Sequence, residues 1–482
     1  MYYHSTRSDS VTAGAAQGIL QGLAPDGGLF VSPPADFDWA SLMPLDTLTM
    51  AQRILSHLLP DVEHMGRLVE LAYRGKFETE DLTPLVPVGD RFVLELFRGP
   101  TSAFKDVALS MLPQLITQSR TQTALEDEIL ILTATSGDTG KAAMAGFCNV
   151  PGTKIIVFYP DQGVSAVQKA QMVTQEGDNV CVCAVRGNFD DTQTGVKEIF
   201  ALGVPDNCGT RLSSANSINI GRLAPQVVYY FRAYADLLAT GRITLGDKVD
   251  FVVPTGNFGN ILAGYYAKRL GLPVGTLVCA SNRNDVLTDF LRTGTYDRRR
   301  PFYKTISPSM DILVSSNLER LLYLLCEDCT EVASYMEQLK VNGFYTVSPE
   351  IMAKLREEFA CGSCDDDETI ETIGAVWRDH GYLMDTHTAV AWKVSRECSG
   401  EHPVVVLSTA SPYKFPAAVL SALGEEPGED EFRIMDRLCE LTGVPIPKNL
   451  QGLQHKPVLH TAVIDRQDMA DFVQKKVAAW NK

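Results

Sequence analysis

The chain has 482 residues, enough for two or three domains that each bury a core of their own. Its 43 Lys+Arg against 59 Asp+Glu leave a formal charge of −16, which argues against nucleic acid or an anionic membrane as partner and requires any anionic small molecule to be captured by a local basic pocket. No apolar run reaches the length of a membrane span. The N-terminal M-Y-Y-H-S-T-R has neither the apolar core of a signal peptide nor the character of a transit peptide, so a cytoplasmic protein is expected.

Residues 1–90 read as an N-terminal, mostly helical domain. A helix is predicted over 12–21, followed by the Pro25-Asp26-Gly27-Gly28 turn and a short strand, then helices over 49–59 and 63–74. This unit shows no catalytic constellation, and His57 and His64 read as helix-surface residues. From 91 to 420 apolar strand candidates alternate with helices. The strands are 92–97, 128–134, 154–159, 179–185, 250–253, 276–280 and 403–408; helices fall at 107–116, 141–148, 164–174, 192–202, 224–238 and 261–270. Most of these strands are continuous apolar runs, as strands buried on both faces are, so the expected class is α/β with largely parallel sheets. The acidic stretch Cys364-Asp365-Asp366-Asp367-Glu368 reads as a solvated connection, and 421–482 as a C-terminal packing extension ending in a helix over 467–480.

The eleven cysteines, odd in number, fit a reducing compartment better than a disulfide framework. Cys326/Cys329 and Cys361/Cys364 are separated by more than the usual zinc-knuckle spacing. The first pair lies in a helical pattern and the second in a polar loop, where free thiols are expected; no metal site is predicted.

The chemistry gathers in loops at the C-terminal ends of strands, where open α/β sheets bind ligands. In G-P-T-S-A-F-K-D, over 99–106, a strand, a Gly-Pro turn and a helix start hold Lys105. The positive end of the helix and partial burial both disfavour an ammonium there, which suits Lys105 to forming a Schiff base with pyridoxal phosphate. In T-S-G-D-T-G-K, over 135–141, small and hydroxyl residues open a helix and offer backbone N–H groups to a carboxylate or phosphate. In G-N-F-G-N, the spaced glycines Gly256 and Gly259 let backbone wrap an anion at a helix start, with no acidic partner for a dinucleotide ribose. S-T-A-S-P-Y-K-F, over 408–415, offers hydroxyls to a heterocycle nitrogen, and the amide-rich 214–222 ends in Arg222, whose fork suits a phosphate dianion.

Together these motifs, with Ser5-Thr6-Arg7, 23–31, Ser307-Pro308-Ser309-Met310-Asp311-Ile312 and Asp385-Thr386-His387-Thr388-Ala389, resemble the threonine synthase family, in its longer branch with an extended N-terminal domain. Ser8 departs from the glycine usual there. The resemblance implies the tryptophan-synthase-β-like fold, type II of the pyridoxal-phosphate enzymes, with two interleaved parallel-sheet α/β domains. It implies Lys105 as the Schiff-base lysine. It assigns the cofactor phosphate to Gly256, Asn257, Phe258, Gly259 and Asn260, and the pyridine nitrogen to Thr409. Thr135, Ser136, Gly137 and Thr139 match the loop that takes the substrate carboxylate, and Ser102 is assigned to substrate as well. Asp138 would be repelled by that carboxylate and is expected to turn towards the cofactor's phenolic oxygen or backbone N–H groups. Arg222, with Asn216, Ser217 and Lys141, is assigned to the substrate phosphate. The implied reaction converts O-phospho-L-homoserine and water to L-threonine and phosphate. A phospholyase releasing 2-oxobutanoate is the nearest alternative, ahead of a serine or threonine dehydratase or a catalytically silent cofactor-binding protein. A monomer or homodimer is expected.

Overall fold

The computed structural model describes residues 2–33, 37–135, 137–162, 164–203, 209–398 and 400–480, with only the backbone of residue 398. Two sheets carry the architecture. The larger has six strands in the order Phe359–Ser363, Val274–Ser281, Val249–Pro254, Val404–Ser408, Arg91–Glu95 and Leu85–Val88. All neighbours are parallel except the last pair, a hairpin at the edge. The smaller has five parallel strands, in the order Ala462–Ile464, Val180–Val185, Thr153–Pro160, Glu128–Ala134 and Thr210–Ser213.

Every residue of Thr153–Pro160, Val180–Val185 and Val249–Pro254 is buried, which is why these strands read as largely apolar runs, broken only by Lys154 and Asp250 near two of their starts. The chain enters the large sheet with the hairpin Leu85–Val88 and Arg91–Glu95, builds most of the small one, and returns to the large sheet at Val249. This interleaving sets the C-terminal ends of both sheets beside each other. Residues 85–88 also belong to the large sheet and 462–464 to the small one, so both the N-terminal segment and the C-terminal extension supply an edge strand.

Helices Lys105–Gln122 and Asp138–Phe147 pack at backbone distance. A Cβ on Gly146 would lie 1.9 Å from the carbonyl oxygen of Leu109, so only glycine permits this approach. Each helix begins at a candidate site residue, and the crossing therefore helps to bring Lys105 and Asp138 together.

Three expectations are corrected. The predicted helix over 12–21 begins only at Ala15, because Ser8–Ala13 pairs antiparallel with Tyr3–Ser5 in a small N-terminal sheet. The acidic stretch is no loop: Asp365 accepts the N–H of Glu368 as the N-cap of helix Asp366–His380, whose positive end favours the carboxylates. Cys361 lies in the strand Phe359–Ser363 rather than in a polar loop, because 359–363 pairs with Leu277–Ser281. Among the described residues no helix is long and apolar enough to cross a membrane.

Candidate active site

The lysine turn is built by Asp106. Its buried carboxylate accepts the backbone N–H of Thr101 at 2.8 Å and the Thr101 hydroxyl, tying the loop to the first turn of the helix it precedes. Gly99 leaves the necessary room, since a Cβ there would sit 2.6 Å from the Asp106 side chain. Ser102 takes a left-handed φ of 60°, and Phe104 N–H reaches the Thr409 carbonyl at 2.9 Å. The outcome is a lysine at the first helical position whose side chain is 11% exposed. Burial drives the Lys105 pKa down; Asp138 opposes that, and the charges of Lys414 and Arg222 add to it.

Asp138 does not turn towards backbone N–H groups. It is buried between Lys414, whose Nζ lies 2.6 Å from Oδ1, and Lys105, whose Nζ lies 3.7 Å from Oδ2. Gln168 also donates to Oδ1, at 3.0 Å. Burial alone would raise this carboxyl, but Lys414 and then Lys105 hold it far below the usual carboxylate range. Lys414 is wholly buried and also donates to the Thr101 carbonyl at 3.0 Å. The nearer lysine thus takes most of the carboxylate's charge, leaving the Lys105 amine weakly paired.

Phe258 adopts a left-handed conformation with φ 61° and caps the helix Gly259–Arg269, directing its free N–H groups outward. A Cβ on Gly256 would lie 2.9 Å from the Ser309 carbonyl oxygen, and one on Gly259 3.7 Å from Ser217 Cβ. The Asn260 side-chain oxygen accepts the hydroxyls of Tyr229 and Tyr230, while its Nδ2, fully buried, has no partner. Asn257 is exposed, its amide oxygen taking the Ser316 hydroxyl at 3.3 Å. Arg222 is 3% exposed and donates to the Ala215 carbonyl; among the described residues it faces no carboxylate and its Nε has no partner. Desolvation pulls this guanidinium down to about 10. A buried cation with no counter-charge is costly unless an anion arrives.

Other assigned residues are placed differently. Thr135 Oγ1 accepts the N–H groups of Gly137 and Gly140, both at 3.0 Å, so it shapes the loop. The Ser102 hydroxyl donates to Asn449 of the C-terminal extension at 2.8 Å. Lys141 reaches away to the amide oxygen of Gln175, and burial lowers it to about 8, with Lys414 and Lys456 adding to the effect. Asn216 is exposed, and Thr139 is half-buried at the start of its helix. Ser136 lies outside the described residues. Thr409 is buried at the end of Val404–Ser408, and among the described residues nothing bonds its hydroxyl.

The motif reading assigned no role to Lys414 or Gln168, nor to Ser309, whose hydroxyl accepts from Lys105 Nζ at 3.4 Å. Lys414 could have been suspected from its place two residues after Pro412 in a strand-end loop; Gln168 sits in an ordinary helical pattern and carries no signal of its own.

These residues fit a phosphorylated aldehyde such as pyridoxal phosphate. The amine is desolvated, the glycine-lined helix start suits a phosphate, and the orphaned Asn260 and Arg222 nitrogens can donate to anionic oxygens. The pyridoxal-phosphate dependent enzyme family matches residues 80–410, and the C-terminal family of threonine synthase matches 388–473. Threonine synthase of Pseudomonas aeruginosa is 40% identical over 443 residues, covering 89% of this chain and 92% of that one. Threonine synthase-like 1 of Homo sapiens is 39% identical over 432 residues; these cover 85% of this chain but only 58% of the human protein, so the chain spans little more than half of that relative. The crystal structure of PLP-bound threonine synthase from Brucella melitensis superposes with a TM-score of 0.87 at 38% identity, over 100% of both chains. The chain therefore belongs to the pyridoxal-phosphate dependent enzymes, within the threonine synthase family.

Proposed function

We propose that the protein converts O-phospho-L-homoserine and water to L-threonine and phosphate. The observation that carries this reading is the surplus of buried positive charge. Lys414 and Arg222 both depress the Lys105 amine, Asp138 pairs with the two lysines, and among the described residues Arg222 has no protein anion to pair with. A site for the cofactor phosphate alone is already supplied by the start of helix Gly259–Arg269. The additional buried guanidinium suits a substrate that brings a phosphate of its own. The match of the chain's C-terminal part to the threonine synthase C-terminal family supports the same substrate class.

Pyridoxal phosphate bound here would act as an electron sink for the carbanions left when Cα and then Cβ lose a proton. The protein's own residues do the rest. Lys105, with its pKa lowered mainly by burial, is the base that takes these protons and the acid that returns them. Asp138 stays ionised, held by Lys414, and keeps the Lys105 amine in place without claiming its charge. Gly256 to Asn260 would hold the cofactor phosphate by backbone N–H groups and the Asn260 amide, and the Thr409 hydroxyl would serve the ring nitrogen. A neutral hydroxyl there restrains the sink, as a carboxylate would not. Arg222 and Ser217 bind the leaving phosphate and stabilise the charge that develops as the Cγ–O bond breaks. Gly137 and Thr139, at the start of Asp138–Phe147, receive the substrate carboxylate.

Incubating the loaded enzyme with O-phosphohomoserine and measuring threonine, 2-oxobutanoate and phosphate together tests the proposal. Equal amounts of threonine and phosphate are expected. Phosphate with oxobutanoate and no threonine identifies a phospholyase instead, and no phosphate release refutes both.

A further inference from the structure

The segment Asp385–Thr388 packs against the site without touching Lys105 and has no part in the chemistry above. His387 is buried and its hydrogen bonds fix its tautomer. Its Nδ1 lies 2.9 Å from Asp385 Oδ1, and its Nε2 accepts the backbone N–H of Ser309 at 3.1 Å. An N–H only donates, so Nε2 is the lone-pair nitrogen and the ring carries its proton on Nδ1. Asp385 is itself oriented by the His387 backbone N–H at 2.8 Å and by the Thr388 hydroxyl. That hydroxyl also meets Ser408 Oγ at 2.9 Å, one residue before Thr409. His387 is thus the middle of a chain of hydrogen bonds running from the loop that faces Lys105 to the strand end that carries Thr409.

Ser309 is the residue this chain holds. Its hydroxyl accepts from Lys105 Nζ at 3.4 Å, and its carbonyl oxygen lies only 2.9 Å from where a Cβ on Gly256 would be, so the two loops are in backbone contact. The rest of its loop is braced: Asp311 accepts the Thr305 N–H at 3.0 Å and the Thr305 hydroxyl at 2.7 Å, Asn282 donates to Asp311 at 2.8 Å, and Thr386 donates to the Ile306 carbonyl at 2.8 Å. At Ser309 itself the bond from His387 takes over this bracing. The other groups facing the Lys105 amine are Asp138, Lys414 and Arg222, from separate elements, and none of them bonds Ser309.

We propose that His387 is a positioning residue: held by Asp385, its imidazole anchors the backbone of Ser309 so that the serine hydroxyl stays against the Lys105 amine. The inference rests on Lys105 being the cofactor lysine. A hydroxyl that accepts from the amine favours its protonated form, so losing that contact should lower the pH at which the amine becomes reactive.

The test follows the pH dependence of the rate at which the apoenzyme takes up pyridoxal phosphate, read as growth of visible absorbance. S309A is expected to move the midpoint down by roughly half to one pH unit, the scale of an ordinary hydrogen bond, since the contact is long at 3.4 Å. H387N keeps a donor to Asp385 but offers nothing to the Ser309 N–H, and is expected to move the midpoint the same way. The S309A/H387N double variant should go no further than S309A alone. H387Q, whose Oε1 can occupy the place of Nε2, should restore the original midpoint. An H387N midpoint equal to wild type, or an additive double variant, overturns the proposal. If H387N does not fold, H387Q decides: a midpoint matching S309A instead of wild type overturns it. K105A should develop no band; a band there refutes the lysine assignment itself, and the inference with it.

Discussion

Replacing Lys414 with methionine separates the two lysines that share Asp138. Lys414 is wholly buried, 2.6 Å from Asp138 Oδ1 and 3.0 Å from the Thr101 carbonyl. Removing one partner of a buried ion pair costs ~3–5 kcal/mol. Here Lys105 at 3.7 Å and Gln168 at 3.0 Å still face the carboxylate, so a loss of about 2–3 kcal/mol in stability is expected. The functional consequence has a definite sign. Lys414 repels a second ammonium and occupies the carboxylate; without it Asp138 pairs with Lys105 alone, and the Lys105 pKa rises. The two ammonium groups bind opposite oxygens of one carboxylate, at 3.7 and 2.6 Å, and for a separation on the order of 6 Å at an effective dielectric constant near 20 their repulsion is worth ~3 kcal/mol, or about two pH units. Cofactor uptake by the apoenzyme needs the neutral amine, so its rising limb should move to higher pH by about one to two units in K414M. This is opposite in direction to the S309A effect. Stopped-flow absorbance across a pH series, with thermal unfolding alongside, measures both quantities. A limb that stays in place or moves to lower pH would show that Lys414 does not set the charge state of Lys105.

Three further substitutions probe the surrounding structure. Burial pushes the Asp106 carboxyl up from 3.8 to about 6 against the hydrogen bonds of Thr101 and the charge of Lys414. The folded protein therefore holds this proton more tightly than the unfolded chain, and the stability of wild type relative to D106N should fall by up to ~3 kcal/mol as pH rises from about 4 to 6, then stay flat. Denaturant titrations at several pH values check this, and a difference that grows with pH contradicts it. R222M should raise KM for the phosphorylated substrate roughly ten- to a hundredfold while leaving the thermal midpoint unchanged or higher, because an unpaired buried charge is removed; an unaltered KM would place the phosphate elsewhere. G146A should cost ~1–3 kcal/mol or more by forcing its Cβ onto the Leu109 carbonyl, and should weaken cofactor binding by parting the helices that begin at Lys105 and Asp138.

Much of the fold was legible because the hydrophobic pattern is strong. Strands buried on both faces, such as Thr153–Pro160 and Val249–Pro254, have few apolar alternatives, and glycines and hydroxyls mark the loops that follow them. Pattern failed where pairing or charge decided the structure. Ser8–Ala13 is a strand because Tyr3–Ser5 lies beside it, although most of its own residues are polar. Asp365 to Glu368 looked solvated, yet an acidic N-cap and first turn are themselves a helix-start signal.

The same division holds within the site. Local sequence by itself determined that Lys105 opens a helix after a tight turn, and that 256–260 turns backbone N–H groups outward, since glycine placement and strand-to-helix order are properties of neighbouring residues. Tertiary structure alone decided which charges meet. Ser309 lies 204 positions from Lys105, and Lys414 lies 313 positions from Thr101. Lys141, three residues after Asp138, points away to Gln175 instead of joining it. A titratable side chain takes its role from the groups that remove its water and share its charge. In this chain those groups come from different sheets and loops, so their meeting cannot be read from any one stretch.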